Sequence, residues 1–207
     1  VGMNLVLSSE ELTALLVLST AASFTPGPNT TLSTALAANR GMRSALKFIL
    51  AVPIGWGLLL SLCMAGLGNL VLAVPALRWV IMFSGTLYLL WLAYRLWGTR
   101  EMATANADRL NISFMQGVSL QFLNIKAWML AISLVAGWVA GKEDALARSM
   151  VLLPIMMCFG LVSNLTYAIV GSLLRQWLSE GLRLLVFNRC MATALLFTAI
   201  WMLKTSL

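Results

Sequence analysis

Histidine is absent from this 207-residue chain, and acidic residues are scarce, with seven Asp and Glu against 14 Lys and Arg. The three cysteines, Cys63, Cys158 and Cys190, are far apart and show neither a CxxC motif nor metal-ligand spacing. A metal site and a structural disulfide are therefore not expected. An enzyme that needs a nucleophile with a base, or paired acids, is also not expected, and no cofactor site is indicated.

Hydrophobic residues make up 60% of the sequence, and charged residues only 10%. This composition is typical of an all-α integral membrane protein and not of a soluble domain. Apolar stretches of about 20 residues, long enough to cross the bilayer, recur along nearly the whole chain. We therefore predict a single transmembrane domain over residues 1–207. Its first stretch follows Glu10 and Glu11 and has no basic leader, so we interpret it as a retained helix.

Six membrane-spanning helices are predicted, at about 10–39, 44–73, 76–97, 112–139, 146–174 and 183–205. The net charge of +7 comes mainly from single basic residues at the ends of these spans, so it indicates topology and not nucleic-acid binding. Basic residues on one side of the predicted membrane are Arg40, Arg43, Lys47, Arg95, Arg100, Arg109, Arg175, Arg183 and Arg189. Those on the other side are Arg78, Lys142, Arg148 and Lys204. This bias predicts that both termini lie outside the cytoplasm.

A polar connection at about 98–111 divides the chain into two halves of three helices, at about 10–97 and 112–205. Because three is odd, two homologous halves must have opposite orientations, which is the inverted-repeat arrangement of many secondary transporters. The sequence therefore predicts two inverted three-helix repeats.

The motif Pro26, Gly27, Pro28, Asn29 interrupts the first span. Two prolines remove two backbone donors and prevent helical continuation, so carbonyl groups of the preceding turn lose their partners. Broken backbone at membrane depth is tolerated only where it is buried in protein or lines a wet cavity. We therefore predict that the first helix is broken at this motif and that the break belongs to a substrate pathway.

A polar cluster, Gln121, Asn124 and Lys126, interrupts the fourth span at the corresponding position. An unpaired charge at mid-membrane costs from about 3 to more than 10 kcal/mol, so Lys126 is expected to face a cavity or a partner. The alternative is a lysine that extends to the membrane surface, but Lys126 lies well inside the predicted span. The amides of Gln121, Asn124 and Asn164 are either site residues or interhelical hydrogen-bonding groups.

The most specific motifs are FTPGPN at 24–29, followed by Arg-Gly at 40–41, and SGTLYLLWLA at 84–93. They resemble the first-helix and third-helix signatures of the LysE/RhtB family of bacterial amino-acid exporters, and the likeness covers nearly the whole chain. The family's Asn-Pro-Lys triplet in the fourth helix is matched by Asn-Ile-Lys at 124–126. Because the proline is missing, the sequence leaves open whether the fourth helix is sharply broken.

The resemblance implies a multi-pass protein of the bacterial inner membrane that exports small amino acids, coupled to the proton-motive force. The segment 120–126, together with Asn164 and Tyr167, is similar to the cysteine/O-acetylserine exporter branch. Many relatives place an acid after a glycine in the second helix, whereas here Gly55 is followed by Trp56. A site without an acid should favour neutral substrates, such as cysteine, O-acetylserine, homoserine, threonine or leucine, over lysine or arginine.

The candidate residues match the two charges of a zwitterion. The helix that restarts near Asn29, and the Lys126 ammonium, suit a carboxylate. Amide oxygens and the freed carbonyls before Pro26 would accept hydrogen bonds from the substrate ammonium. Lys126 is also the proton-coupling candidate, because it is the only titratable side chain expected at depth. The predicted substrate-binding residues are Pro26, Gly27, Pro28, Asn29, Gln121, Asn124, Lys126 and Asn164.

Other interpretations stay open. A membrane thiol-disulfide relay shares the inverted architecture, but it needs a cysteine pair near the pseudo-symmetry centre, and the first and fourth spans contain no cysteine. A channel or a structural membrane subunit is not excluded by the residues. A facilitator driven by the substrate gradient alone is the alternative to proton antiport. Small residues such as Ala65, Gly66 and Gly68 would permit close helix contacts, so a homo-oligomer is also left open.

Overall fold

The computed structural model describes residues 6–100 and 110–205, and all regular elements in these ranges are α-helices. The helices are α1 (Ser9–Phe24), α2 (Pro28–Arg40), α3 (Met42–Met64), α4 (Leu67–Ala73), α5 (Pro75–Trp97), α6 (Phe114–Leu123), α7 (Ile125–Trp138), α8 (Ala145–Leu178) and α9 (Arg183–Thr205). By length and apolar character, α3, α5, α8 and α9 could each cross a membrane, and α6 with α7 forms a fifth candidate span that is bent by 66°.

Helix α2 lies inside the bundle, and its residues 30–39 are all buried. It packs mainly against α8 and α3. The contact with α8 is very close at Gly171, where a Cβ atom would lie 2.3 Å from the carbonyl oxygen of Thr34. Threonine, serine and alanine predominate in α2, and such small side chains allow neighbouring helices to approach its backbone.

The second predicted span, 44–73, is not one continuous helix. Helix α3 ends at Met64, and α4 begins at Leu67. Between them, Gly66 has a φ angle of 106°, which residues with a Cβ atom rarely adopt. The predicted span did not include this turn, which the glycine allows within the apolar segment.

Helix α6 is held between α3 and α5 by contacts at glycine residues. On the α5 side, a Cβ atom on Gly85 would lie 1.8 Å from the carbonyl oxygen of Leu123. On the α3 side, a Cβ atom on Gly117 would lie 2.7 Å from the Cβ atom of Ala51. Gly117 thus allows the first half of α6 to approach α3, and Gly85 allows the C-terminal end of α6 to approach α5.

Helix α1 is the least buried of the first three helices, with only Leu15 and Ser19 buried. Near its start, Arg148 Nη1 lies 2.9 Å from Glu11 Oε1. The indole Nε1 of Trp138 donates to the Glu11 carbonyl at 3.1 Å. These contacts attach the beginning of α1 to α7 and α8.

A buried amide pair lies at the C-terminal end of α2. Asn39 Nδ2 donates to Asn188 Oδ1 at 2.7 Å, and Asn188 Nδ2 donates to Asn39 Oδ1 at 2.8 Å. Asn188 Nδ2 also donates to the Thr99 carbonyl at 3.1 Å, and Arg175 Nη1 donates to the Ala38 carbonyl at 2.9 Å. The end of α2 is therefore connected to α8, to α9 and to the chain that follows α5.

Candidate functional site

The chain is not helical between Phe24, the last residue of α1, and Pro28, the first residue of α2. Pro26 has no N–H group, and the Gly27 N–H donates to Thr30 Oγ1 at 3.0 Å instead of returning to α1. The two donors that would have continued α1 are thus missing or used elsewhere. This segment is called the first break below.

The first break changes the hydrogen bonding of carbonyl groups at the end of α1. The carbonyls of Ala22 and Ser23 stand four residues before Pro26 and Gly27, so neither receives the hydrogen bond of a continuing helix. The Phe24 carbonyl instead accepts from the hydroxyl of Tyr167 on α8, at 2.8 Å. Ala22 and Ser23 also line the cavity described below, where their carbonyls are candidate acceptors.

The fourth predicted helix is also broken, although it lacks the proline. Helix α6 ends at Leu123 and α7 begins at Ile125. Asn124 between them has an extended backbone, and its side chain accepts from the Lys126 N–H at 3.1 Å. Asparagine is a favoured N-cap, and here it starts α7 without help from a proline. Asn124 is called the second break, and the bend of 66° occurs there.

A cavity lies between the two breaks, with an empty volume of about 590 Å³ that includes its opening to solvent. Seven of the eight predicted site residues line it, namely Gly27, Pro28, Asn29, Gln121, Asn124, Lys126 and Asn164. Pro26 is exposed and is not among the lining residues. Polar or aromatic lining residues that were not predicted are Ser23, Thr25, Thr30, Trp56 and Ser163. Thr25 and Thr30 flank the proline motif, and this adjacency could have identified them. We call this space the central cavity.

Asn29 and Gln121 bind each other across the central cavity wall. Asn29 Nδ2 donates to Gln121 Oε1 at 2.8 Å, and Gln121 Nε2 donates to Asn29 Oδ1 at 3.0 Å. Gln121 Nε2 also donates to the Gly117 carbonyl at 3.2 Å. The pair connects the first turn of α2 to the last turn of α6, so it fixes the two breaks relative to each other.

Asn164 is engaged with the protein in the same way. Its Oδ1 accepts from Ser33 Oγ at 2.8 Å, and its Nδ2 donates to the Gly160 carbonyl at 2.8 Å. The amide oxygens of Gln121, Asn124 and Asn164 therefore each accept a hydrogen bond from this chain. An amide oxygen has two lone pairs, so each keeps one acceptor position at most for a substrate. Their geometry matches interhelical hydrogen bonding and helix capping.

Lys126 is the second residue of α7, just after the second break, and its side chain reaches the first break. A Cβ atom placed on Gly27 would lie 3.4 Å from Lys126 Nζ. No ion pair to Lys126 is found among residues 6–100 and 110–205, where carboxylates pair with Arg148 and Arg183. The positive end of the α7 dipole does not stabilise a cation, so the ammonium is complementary to an anion in the cavity.

The start of α2 adds further positive character to this part of the central cavity. The backbone N–H groups of Asn29 and Thr30 lie in the first turn of α2, where helices provide no backbone acceptor. Both residues line the cavity together with Lys126. Two residues of a helix N-terminus and one lysine thus line the same space, and helix N-termini and ammonium groups are favourable partners for a carboxylate.

Trp56 takes the position after Gly55 in α3, and its buried side chain lines the central cavity. Gly55 itself is required for close packing, because a Cβ atom there would lie 2.7 Å from Gln121 Cγ. Within residues 6–100 and 110–205, no aspartate or glutamate lines the cavity. The described lining therefore provides a cation and polar groups but no anionic side chain.

The cysteines do not form a redox site among the described residues. Cys63, Cys158 and Cys190 are all free thiols, on α3, α8 and α9 respectively. None of them lines the central cavity. This arrangement does not favour a thiol-disulfide relay, which needs a reactive pair at the centre of the bundle.

Apolar membrane-spanning helices and a polar cavity between interrupted helices are features of membrane transporters. The chain belongs to the LysE type translocator family, whose model matches residues 20–206. This confirms the resemblance seen in the sequence motifs. The protein is a transporter and not an enzyme, and its helices and family point to an integral protein of the inner membrane.

Similar proteins carry one recurring name. The cysteine/O-acetylserine efflux protein of Salmonella choleraesuis (strain SC-B67) is 26% identical over 152 residues, which cover 73% of this chain and 77% of that protein. The cysteine/O-acetylserine efflux protein of Escherichia coli (strain K12) is 24% identical over 176 residues, which cover 85% of this chain and 89% of that protein. No solved structure shows a significant match to this chain.

Proposed function

We propose that this protein exports small neutral amino acids or their derivatives, with cysteine and O-acetylserine as the first candidates. The names of its relatives support this substrate class. The observation that carries the proposal is the central cavity, which has one ammonium group, two helix breaks and no carboxylate among its lining residues. Such a cavity is complementary to a zwitterion that brings its own carboxylate.

The substrate carboxylate binds Lys126 Nζ and the N–H groups of Asn29 and Thr30. The substrate ammonium binds the carbonyls of Ala22 and Ser23, which the first break leaves without helical donors. The two charged groups of the substrate therefore bind at the two sides of one break. Half-helix ends and unwound carbonyls hold substrates and ions in this way in other transporters.

The preference for neutral substrates follows from the cavity lining. Lysine or arginine would bring a second positive charge into a cavity that already contains Lys126, and no lining residue provides a counter-ion. Transferring an unpaired charge into a low-dielectric site costs several kcal/mol. Trp56 adds an apolar surface, which suits an uncharged side chain.

We further propose that Lys126 carries the coupled proton. Among the residues that the structure describes, it is the one titratable side chain that lines the central cavity. In an antiporter, Lys126 is protonated while the cavity is empty and loses its proton when the substrate binds, because the substrate ammonium repels the lysine charge. The neutral amine still donates a hydrogen bond to the substrate carboxylate, and Lys126 regains a proton after release, so proton and substrate move in opposite directions. A facilitator that uses only the substrate gradient is the competing mechanism, and the experiment below distinguishes the two.

The proposed topology has six crossings arranged as two inverted repeats, at about 10–97 and 112–205. Helices α1 and α2, of 16 and 13 residues, form the first crossing together, as α6 and α7 form the fourth. The position of one break in each half supports this arrangement. The excess of basic residues after the first, third and fifth crossings supports a periplasmic position for both termini.

The proposal is tested with purified protein in vesicles that are preloaded with labelled amino acids. Release of cysteine, O-acetylserine, threonine, leucine and lysine is compared with and without an imposed pH gradient. Lys126→Gln is the test variant, and Lys142→Gln is the matched control, since Lys142 is exposed and does not line the central cavity. We expect saturable release of a neutral subset by the wild type and the control, and its loss in Lys126→Gln.

Each part of the proposal has a result that would contradict it. If the wild type releases no amino acid, the proposal of an exporter is wrong. If release occurs but does not saturate, the proposal of a carrier mechanism is wrong. If Lys126→Gln still moves substrate uphill when a pH gradient is imposed, Lys126 is not the proton carrier. If lysine is released as fast as leucine, the argument from the missing acid is wrong.

A further inference from the structure

A second cavity adjoins Lys126, between α5, α7 and α9. Its empty volume of about 870 Å³ includes its opening to solvent. Of the residues that the structure describes, Lys126 alone lines both this space and the central cavity. Its walls include the buried residues Met82 and Ile125 and the partly buried Met129. Arg78, in the first turns of α5, adds a second cation. We call this space the outer cavity.

The outer cavity combines two cations with an otherwise apolar lining. Apart from Arg78 and Lys126, its lining side chains are methionine, isoleucine and tryptophan. No aspartate or glutamate lines it, and no ion pair to Arg78 is found within residues 6–100 and 110–205. Arg78 is exposed and Lys126 is partly buried, and an anion bound in this cavity would interact with both cations and offset their mutual repulsion. The chemistry of the lining therefore selects a small carboxylate with an apolar or neutral side chain.

We propose that the outer cavity is the release site of the transported amino acid, where Arg78 receives the substrate carboxylate from Lys126. The inference rests on the proposed function and extends it by a second binding position. The Lys126 ammonium is on a flexible four-carbon chain, so it can follow the carboxylate from one cavity to the next. In the proposed topology, the start of α5 and the end of α9 lie at the periplasmic side, which is the direction of export.

The anionic character of the outer cavity's ligand can be tested by the reactivity of a cysteine placed in its wall. Cys63, Cys158 and Cys190 are first changed to serine, and Met129→Cys is added. A negatively charged and a positively charged methanethiosulfonate reagent are then compared. Ala140→Cys, an exposed position after α7, gives the reference ratio of the two rates in water.

We expect the ratio of the anionic to the cationic modification rate to be about tenfold higher at Met129→Cys than at Ala140→Cys. The reason is that like charges in a narrow cavity concentrate counter-ions. Arg78→Gln should remove most of this preference, and O-acetylserine should slow the modification. Arg78→Gln should also slow release of labelled O-acetylserine from vesicles while its binding to detergent-solubilised protein is retained. Should Met129→Cys not fold, Met82→Cys in the same wall replaces it.

Several outcomes would overturn the release site. An equal ratio of anionic to cationic modification rates at Met129→Cys and Ala140→Cys would show that the cavity does not attract anions. Protection by phosphatidylglycerol vesicles, compared with phosphatidylcholine, together with no protection by O-acetylserine, would identify a lipid headgroup as the ligand. Failure of the proposed function is a separate result, because it appears as absence of amino-acid release by the wild type. The charge preference at Met129→Cys does not depend on transport.

Discussion

Asn29 and Gln121 are 92 positions apart in the sequence, yet their amides form two hydrogen bonds with each other, of 2.8 and 3.0 Å. Asn29 is the second residue of α2, after the first break, and Gln121 comes three residues before the second break. The pair therefore holds the two half-helix ends at a fixed distance around Lys126. Any substrate that contacts both breaks depends on this distance.

The first prediction concerns the energetic coupling of this pair. Asn29→Ala or Gln121→Ala leaves the remaining amide without its partner, and the double variant removes both. We expect the effects to be non-additive, with a coupling of about 1 kcal/mol, as for hydrogen-bonded pairs between membrane helices. The measurement is thermal unfolding of the wild type and the three variants in detergent. Additive changes would mean that the two amides do not interact in solution.

The second prediction concerns Gly85, the glycine of the third-helix motif. A Cβ atom there would lie 1.8 Å from the Leu123 carbonyl oxygen, at the end of α6 beside the second break. Gly85→Ala must therefore push α5 and α6 apart, which we expect to cost several kcal/mol, as overpacking of a tight contact does. The expected result is loss of folded protein on size exclusion, or a strongly lowered melting temperature.

Gly137→Ala is the matched control for this variant. Gly137 also lies in a helix, but a Cβ atom there would meet no atom within 4 Å. Alanine has the higher helix propensity, by about 1 kcal/mol, so this substitution should be neutral or slightly stabilising. Similar losses in Gly85→Ala and Gly137→Ala would show that the close contact with Leu123 is not the cause.

The third prediction concerns the space beside the Lys126 ammonium. Gly27 has a φ of −160°, which any residue adopts, and a Cβ atom there would lie 3.4 Å from Lys126 Nζ. Gly27→Val should therefore fold, while its side chain fills the position where a carboxylate would meet the ammonium. We expect the melting temperature to stay near that of the wild type and amino-acid release to fall about tenfold or more, equivalent to at least 1.4 kcal/mol. Normal release by a folded Gly27→Val protein would contradict the proposed binding position.

The first break could be predicted because proline acts on its own backbone. Pro26 has no N–H group in any fold, so the interruption of α1 depends on local covalent structure. The second break depends on capping, and an asparagine such as Asn124 also occurs as an interhelical hydrogen-bonding residue. The turn at Gly66 was missed because an isolated glycine is tolerated within membrane helices.

The hydrogen-bond partners of the polar side chains could be predicted less well than their depth in the membrane. Apolar flanks indicated that Gln121, Lys126 and Asn164 lie at depth, but not which partner each one has. The Ser33–Asn164 and Asn29–Gln121 contacts join residues that are more than 90 positions apart. They depend on how α2, α6 and α8 pack, and apolar periodicity alone does not determine that packing.

The last prediction concerns Trp56 and substrate charge. Trp56→Glu would place a carboxylate in the central cavity, where no lining residue provides one. That carboxylate could pair with the second ammonium of lysine, so lysine should become a substrate. It would also compete with the substrate carboxylate for Lys126, so release of leucine or O-acetylserine should fall. We expect the ratio of lysine to leucine release to rise about tenfold or more, which corresponds to 1.4 kcal/mol of differential binding.

Trp56→Gln separates the effect of charge from the loss of the aromatic side chain. It has nearly the same size as Trp56→Glu and opens the same space, but it cannot neutralise an ammonium group. The ratio of lysine to leucine release should therefore rise in Trp56→Glu and stay near the wild-type value in Trp56→Gln. An equal rise in both variants would mean that Trp56 excludes lysine by its volume. In that case, the missing carboxylate would not be the reason for the preference for neutral substrates.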